Sequence, residues 1–204
     1  GTYYGVYDSG YARVTIENGT VQNFYDGVHV EYSSQSKILK IKAHGAQEAG
    51  IAYWYSLDGV VDHSGASHNA TEGIYLYENT NVNATNSTAT HNSTYGLYDY
   101  YSAATHNHVT ASNNGSYGFY IDYPAAYTSS GPYVIENSTA DSNGTAGFEV
   151  YDNLPQWQYQ ADLIGNTANN NTGYGFYAEY WALGAHNHAT GNGTQNCYRQ
   201  RGCS

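Results

Sequence analysis

Acidic side chains are the first residues in this sequence that could do chemistry. Asp99, Asp122, Glu149 and Asp152 follow one another through the middle of the chain. Two carboxyl groups held roughly 5 to 9.5 Å apart can hydrolyse a glycosidic bond, one as the acid and the other as the base or nucleophile. These residues could form such a pair only if the fold brings them to one surface, and acidic side chains are also common on solvated surfaces.

Histidines are the second group with possible chemistry. His106 and His108 are an i,i+2 pair on one strand face, and His68 and His91 lie 23 residues apart, one period of the repeat described below. A specific zinc or copper site needs three or four converging ligands, and the spacing supplies only two at a time. We therefore predict no metal site and no cofactor, and expect these histidines to be solvated or stacked.

Aromatic side chains form the third group, because 25 of the 204 residues are tyrosine. Tyrosine is a good strand former, and its cross-strand stacking can simply support a sheet. A large exposed aromatic area can equally be a contact surface for another subunit or for sugar rings. The predicted contact face consists of Tyr75, Tyr98, Tyr120, Tyr177, Tyr77, Tyr100, Tyr101, Tyr123, Trp157 and Trp181.

A repeat positions all of these residues. Each copy opens on a glycine, and these are Gly5, Gly27, Gly50, Gly73, Gly96, Gly118, Gly147 and Gly175. The first five intervals are 22 or 23 residues long, which indicates a solenoid, and the last two are 29 and 28. The longer intervals predict loop insertions near 124–133 and 152–159. We expect an aromatic lip there, formed by Tyr127, Tyr133, Trp157, Tyr159 and Trp181.

Columns of like residues run through the repeat. The residue after each glycine is always apolar and must face inward, as Ile74 and Leu97 do. The next inward column is interrupted by Asp8 and Asp99. A third column consists mainly of alanine, which suggests close approach to the opposite wall. A fourth predicts an internal ladder, because asparagine can hydrogen-bond its counterpart one coil away; its asparagines are Asn23, Asn69, Asn92, Asn114, Asn143, Asn171 and Asn192.

Coils such as NATEGIYLY at 69–77, NSTYGLYDY at 92–100 and NGSYGFYID at 114–122 resemble the right-handed parallel β-helix superfamily of pectate-lyase-like and NosD-type repeat proteins. The resemblance implies an all-β, single-stranded right-handed parallel β-helix of about eight coils. We predict one domain over 1–204, with a Cys-containing C-terminal tail at 193–204. The superfamily holds enzymes, adhesins and structural proteins, so it specifies function poorly.

The resemblance would place clustered carboxylates with an Arg or Lys in a lyase of this kind. The chain has neither residue between Lys42 and Arg199, so such a lyase is excluded over most of the rod. The formal charge of −11 also argues against nucleic acid as a partner. No apolar run approaches the roughly 18 residues of a membrane span.

Several features predict an extracellular or cell-surface protein. Cys197 and Cys203 are close enough to form a short disulfide, the alternative being two free thiols. Ten N-x-S/T sequons suggest N-glycosylation. Among them, Asn69, Asn92, Asn114 and Asn143 belong to the expected internal ladder, where a glycan could not be attached. The glycosylation candidates are therefore Asn18, Asn83, Asn86 and Asn137.

Two functions remain open from the sequence. The leading prediction is a structural β-solenoid, not an enzyme, that associates with itself and forms a filament through an uncapped first coil. The alternative is a carbohydrate-binding or carbohydrate-active β-helix that grips glycans with its Tyr and Trp residues. A polysaccharide hydrolase is the only enzyme class retained.

Overall fold

The chain winds into a right-handed parallel β-helix of about eight turns, as predicted. The computed structural model describes residues 3–124, 133–151 and 161–204. Most of the two predicted insertions therefore lies outside the described residues. The described part contains strands and turns, and it has no helix long and apolar enough to cross a membrane.

The first sheet is built from the strands that begin around the repeated glycines. Except in the last pair, where the register shifts after Tyr177, each strand pairs in parallel and in register with the strand one coil away, so Ile74 pairs with Leu97 and Leu97 with Phe119. The strands are β1 (Tyr4–Ser9), β3 (Asp26–Glu31), β5 (Ala49–Trp54), β8 (Glu72–Tyr77), β11 (Tyr95–Tyr100), β13 (Tyr117–Asp122), β15 (Ala146–Tyr151), the start of β18 (Tyr174–Ala185), and β20 (Gln195–Gln200).

Shorter strands form the remaining walls of the coil. The second sheet comprises β2 (Thr15–Gln22), β4 (Lys37–His44), β6 (Val60–Asp62), β9 (Asn83–Thr85), β12 (Thr105–Asn107), β14 (Tyr133–Glu136), β16 (Ala161–Ile164) and the end of β18. The third wall comprises β7 (Gly65–Ser67), β10 (Thr88–Thr90), β17 (Thr167–Asn169) and β19 (His188–Thr190). Single bridges between threonines join β10 to β17 across the intervening coils.

The inward columns build the core as predicted. Phe119, Phe148 and Phe176 stack with centroid separations of 4.7 and 4.8 Å. The alanine column faces the glycine column closely, because a Cβ built on Gly96 would lie 2.8 Å from the Cβ of Ala111. Glycine is therefore required there by space, and the first sheet and the third wall converge at this line.

Ladders of polar side chains provide hydrogen bonds for buried groups at the corners of the coils. Asn92 Nδ2 donates to Asn114 Oδ1 at 3.1 Å, and Asn114 Nδ2 donates to Asn143 Oδ1 at 3.1 Å. All three asparagines are buried, so the predicted ladder is present from Asn69 onward. Asn23, which was also assigned to it, is exposed, because the next coil has Ala46 at this position. The structure adds a second ladder that the sequence analysis missed, in which the backbone N–H of Ser56 donates to Asn79 Oδ1 and that of Asn79 donates to Ser102 Oγ.

Two predicted surface groups lie in the interior instead. The Asp99 side chain is buried between the Tyr133 hydroxyl, which donates to it at 2.9 Å, and His106 Nε2 at 3.3 Å. Asp99 therefore cannot join a carboxylate pair on the surface. Tyr133 is fully buried and cannot belong to an aromatic lip. The interruption at Asp8 has the same explanation, because Ser36 Oγ donates to its buried carboxylate at 3.0 Å.

The last coil contains the predicted disulfide. Cys197 and Cys203 are bonded, with Cα atoms 6.1 Å apart. Part of the segment predicted as a tail is strand β20, which pairs with β18 and continues the first sheet.

Candidate functional site

The outer side of the first sheet carries most of the aromatic side chains. We call this surface the aromatic wall. The wall residues are Tyr4, Tyr7, Trp54, Tyr75, Tyr77, Tyr95, Tyr98, Tyr100, Tyr117, Tyr120, Tyr151, Tyr174, Tyr177 and Tyr198. Tyr101 and Tyr123 lie just beyond the strand ends. Trp157 and the side chain of Trp181 lie outside the described part of the chain, so their predicted role stays a prediction.

The in-register pairing stacks these rings into rows along the helix axis. Tyr75 and Tyr98 stack with centroids 5.1 Å apart, and Tyr77 and Tyr100 do so at the same distance. Tyr98 meets Tyr120 edge to face at 5.4 Å. The rings are half-buried, so each supports its neighbours and still presents an edge or a face to solvent.

One row of the wall was missed by the sequence analysis. Tyr95 and Tyr117 directly precede the repeated glycines and stack on each other at 5.5 Å. Simple alternation would turn them away from Tyr98 and Tyr120. Gly96 and Leu97 both face the interior, however, so the residues before and after this pair emerge on the same outer side. Tyr95 consequently stacks on Tyr98 at 4.9 Å.

Three carboxylates are embedded in this wall, and we call Asp122, Glu149 and Glu179 the carboxylate cluster. Glu149 pairs with Tyr120 on one neighbouring strand and with Tyr177 on the other. Asp122 and Glu179 each stand two residues beyond those partners, so both are diagonal neighbours of Glu149. Diagonal positions on adjacent strands are about 7 to 8 Å apart. Of the four acids proposed from the sequence, the structure therefore brings Asp122 and Glu149 together and adds Glu179, whereas Asp152 lies outside the described residues.

Burial changes the pKa of Glu149 within the cluster. Burial, followed by the charge of Glu179, raises the pKa of Glu149 from 4.5 to about 7. Glu179 Oε2 is buried and accepts no hydrogen bond from the described residues. An acid that holds its proton near neutrality next to a second carboxyl group is the combination that acid–base chemistry at a glycosidic bond requires.

The surrounding tyrosines remain neutral. Burial and the charges of Asp122 and Glu149 raise the pKa of Tyr120, and burial, with the charge of Asp122 next, raises the pKa of Tyr98. Their hydroxyl groups are therefore hydrogen-bond donors at neutral pH. A tyrosine held in this state is poorly suited to act as a base.

A second polar group on the same wall is covered over. His29 Nδ1 lies 2.8 Å from Asp26 Oδ2, and His29 Nε2 lies 3.6 Å from Glu31 Oε2. The ring is 1% exposed because Tyr4 and Trp54 pack over it, with centroids 4.4 and 5.2 Å away. This histidine cannot touch a substrate in the observed arrangement. The spacing Asp-Gly-Val-His could have revealed the pair, since Gly27 and Val28 both face inward.

Glu72 is a further buried acid on this wall. It is 6% exposed, and burial, followed by the charges of Glu48 and Asp26, raises its pKa to about 7.

Within residues 3–124, 133–151 and 161–204, no three His, Cys, Asp or Glu side chains are grouped so that they could hold a metal ion. His68 and His91 stack on each other instead, with centroids 5.2 Å apart.

Comparison with known families supports the architecture. A family model described as "Right handed beta helix region" matches residues 1–131 of the chain. A search of curated protein sequences finds no match.

Three solved structures share the fold along nearly the whole chain. The periplasmic alginate epimerase AlgG has a TM-score of 0.79 at 13% identity, covering 95% of this chain and 48% of that protein. The pectate lyase Pel9A has a TM-score of 0.75 at 17% identity, covering 98% and 55%. The catalytic domain of a GH87 alpha-1,3-glucanase has a TM-score of 0.51 at 12% identity, covering 96% and 48%. The chain thus spans about half the length of each of these proteins.

These comparisons correct one prediction. The sequence analysis expected a protein that is not an enzyme, and this expectation is wrong, because the proteins that share the fold are named as polysaccharide-modifying enzymes. Only Asp99, Asp122, Glu149 and Asp152 were weighed as a catalytic group from the sequence, and Glu179, which the structure places near Glu149, was not among them. At these low identities the likeness itself establishes only the fold.

Proposed function

The chain belongs to the right-handed beta helix family, and we propose that it is a carbohydrate-active member that binds a polysaccharide along the aromatic wall and hydrolyses it at the carboxylate cluster. The observation that carries this proposal is the placement of Glu149 and Glu179 on one wall, among stacked tyrosines. Pyranose rings present apolar faces that pack on aromatic rings, and their hydroxyl groups bond to carboxylates.

Binding would use the rows of rings on either side of the cluster. Tyr98 and Tyr120 lie on the coils before Glu149, and Tyr177 and Tyr198 lie on the coils after it, stacked at 5.1 Å. A glycan that follows the helix axis crosses one strand with each coil. The cluster would then meet the middle of the bound chain, where an internal bond could be cut.

The proposed reaction assigns a role to each of two carboxyl groups. Glu149, protonated below about pH 7, donates its proton to the glycosidic oxygen as the bond from that oxygen to the anomeric carbon breaks. Glu179 accepts a proton from a water molecule whose oxygen forms the new bond to the anomeric carbon. Exchange with solvent restores both groups. Elimination is less well supported, because the nearby tyrosines are held neutral and no Lys or Arg lies between Lys42 and Arg199.

An extracellular or cell-surface location fits this function. The Cys197–Cys203 disulfide is typical of an oxidising compartment. The filament predicted from the uncapped first coil stays a prediction, and the comparisons favour it less than a carbohydrate-active role. N-glycosylation likewise stays a prediction.

Release of reducing ends from a panel of polysaccharides tests the proposal. We expect cleavage by the wild type, with kcat/KM falling as the pH rises through about 7, where Glu149 loses its proton. The Glu149→Gln variant should lose about 10²-fold or more in kcat, since general acid catalysis contributes about 10² to 10⁴. Glu17→Gln, which changes an exposed carboxylate on β2, is the matched control and should keep full activity.

Two results would count against it. Cleavage by Glu149→Gln at the wild-type rate would remove Glu149 from the reaction. Binding of a glycan without any cleavage would leave a binding protein and refute hydrolysis.

A further inference from the structure

We infer that the polysaccharide bound by the aromatic wall is neutral and not a polyuronate; this inference rests on the proposed function and narrows its substrate class. The evidence is the separation of charge between the walls of the coil. Acidic side chains occur on the outer side of the first sheet in coils along most of its length, and these are Asp26, Glu31, Glu72, Asp122, Glu149 and Glu179.

Cations are missing from the same surface for most of its length. The sequence has no Lys or Arg between Lys42 and Arg199, so strands β5, β8, β11, β13, β15 and β18 carry none, and the insertions between them carry none either. Arg199, on the last strand, is already engaged. Its Nη1 donates to the Glu179 carbonyl oxygen, and its guanidinium carbon lies 5.1 Å from the centre of the Tyr198 ring.

Of the other cations, Arg201 lies in the turn after the last strand, and the remaining four are gathered elsewhere. Lys37, Lys40 and Lys42 belong to β4 of the second sheet, and Arg13 lies in the turn before β2. Arg13 and Lys37 line a cleft of about 370 Å³, together with Thr15, Gln35 and Asp58. This cation cleft lies off the aromatic wall, since none of its lining residues belongs to the first sheet.

This distribution of charge disfavours binding of a polymer that carries one carboxylate on every sugar. A chain laid on the wall would place its carboxylates within a Debye length, about 8 Å at physiological ionic strength, of acidic side chains on the same surface, and ionising both together is unfavourable. The net charge of −11 would also repel it on approach. Nothing on β5 to β18 could neutralise a uronate group.

A neutral glycan meets none of this repulsion. Its hydroxyl groups can donate to the carboxylates of Asp122, Glu149 and Glu179, whose side chains are only half-buried. The neutral tyrosine hydroxyls can donate to ring and glycosidic oxygens in return. The wall thus offers both hydrogen-bond donors and acceptors, which the hydroxyl groups of an uncharged sugar need when they leave water.

A pair of polymers that share one backbone and differ only in charge gives the sharpest test. Polygalacturonate and its fully methyl-esterified form would be compared by affinity electrophoresis with the full chain, in EDTA, together with a neutral glucan, mannan and xylan. We expect at least one neutral polymer to bind, and the esterified form to bind at least tenfold more tightly than the acid form. Raising NaCl from 50 to 500 mM should leave the neutral polymer's affinity unchanged.

Variants locate the binding. Tyr100→Ala should weaken the bound neutral polymer at least tenfold, whereas Tyr11→Ala, which changes a ring that is 68% exposed off the wall, should not. The double variant Arg13→Ala/Lys37→Ala should bind the neutral polymer as the wild type does.

The outcomes separate the two proposals. Binding or cleavage of acid polymers alone would overturn the neutral substrate and leave a carbohydrate-active protein. Loss of that binding in Arg13→Ala/Lys37→Ala would assign it to the cation cleft. Absence of binding and cleavage across all the polymers would refute the proposed function itself.

Discussion

Replacing Glu72 with glutamine should stabilise the protein above about pH 4.5, by an amount that grows until about pH 7. Glu72 lies on β8 under the aromatic wall and is 6% exposed. Burial is the main cause that raises its pKa, and the nearby Glu48 and Asp26 raise it further. The folded chain therefore holds a proton on Glu72 that the unfolded chain releases more easily.

The size of the effect follows from the two pKa values. The pKa of Glu72 is about 7 in the folded protein against 4.5 ordinarily. Each pKa unit corresponds to about 1.4 kcal/mol, so ionising Glu72 costs the folded state up to about 3 kcal/mol. Below pH 4.5 the group is protonated in both states and costs nothing. Between pH 4.5 and 7 the folded state binds more protons than the unfolded state, so this group makes stability fall as the pH rises.

Urea denaturation at pH 4.5, 6, 7 and 8 measures the effect. We expect Glu72→Gln and wild type to have equal free energies of unfolding at pH 4.5, and the variant to be more stable by up to about 3 kcal/mol at pH 8. Glu17→Gln removes one charge from an exposed site and controls for the net charge of −11. A constant difference between Glu72→Gln and wild type at all four pH values would refute the reasoning, as would a less stable variant at pH 8.

Two further predictions concern the asparagines. Asn92→Ala should lower the free energy of unfolding, measured by urea titration, by about 3 kcal/mol. The substitution removes the acceptor of the Asn69 backbone N–H and leaves buried groups of the ladder unpaired. The control Ser93→Ala, at an exposed neighbouring residue, should change the free energy of unfolding by less than about 0.5 kcal/mol. In a glycosylating host, glycopeptide mass spectrometry should find sugar on the exposed Asn18, Asn86 or Asn137 and none on the buried Asn92. Asn83 should carry little, since it is half-buried and its Oδ1 accepts the Thr105 N–H at 2.6 Å. Occupancy at Asn92 would contradict the ladder.

The columns made most of the fold predictable. From Gly50 onward each coil repeats a glycine, an inward apolar residue, an alanine and an asparagine, and a parallel β-helix stacks each of the four on its own kind, as Phe148 between Phe119 and Phe176 demonstrates. The sequence could not reveal which side chain contacts a residue that departs from the columns. The Tyr133 hydroxyl donates to Asp99, but Tyr133 is 34 residues further along the chain. It follows an insertion, so its position in the coil could not be counted from the repeat.

The site was harder to predict than the fold. Rows of tyrosine follow directly from the repeat, but Tyr95 and Tyr117 did not, because two consecutive inward residues at Gly96 and Leu97 reverse the simple alternation. The carboxylate cluster could be predicted only in part. The position of Glu149 on the wall follows from the repeat, whereas its raised pKa depends on burial, which cannot be read from the spacing of residues.

The shared register of the 23-residue coils has a consequence for how such a protein can evolve. Duplication of one 23-residue segment, such as 73–95, would supply a new glycine, alanine and asparagine that meet their own kind above and below. The inserted coil would need no compensating change elsewhere. Genes of this type can therefore lengthen or shorten the surface by whole coils while selection refines the few positions, such as Glu149, that depart from the pattern.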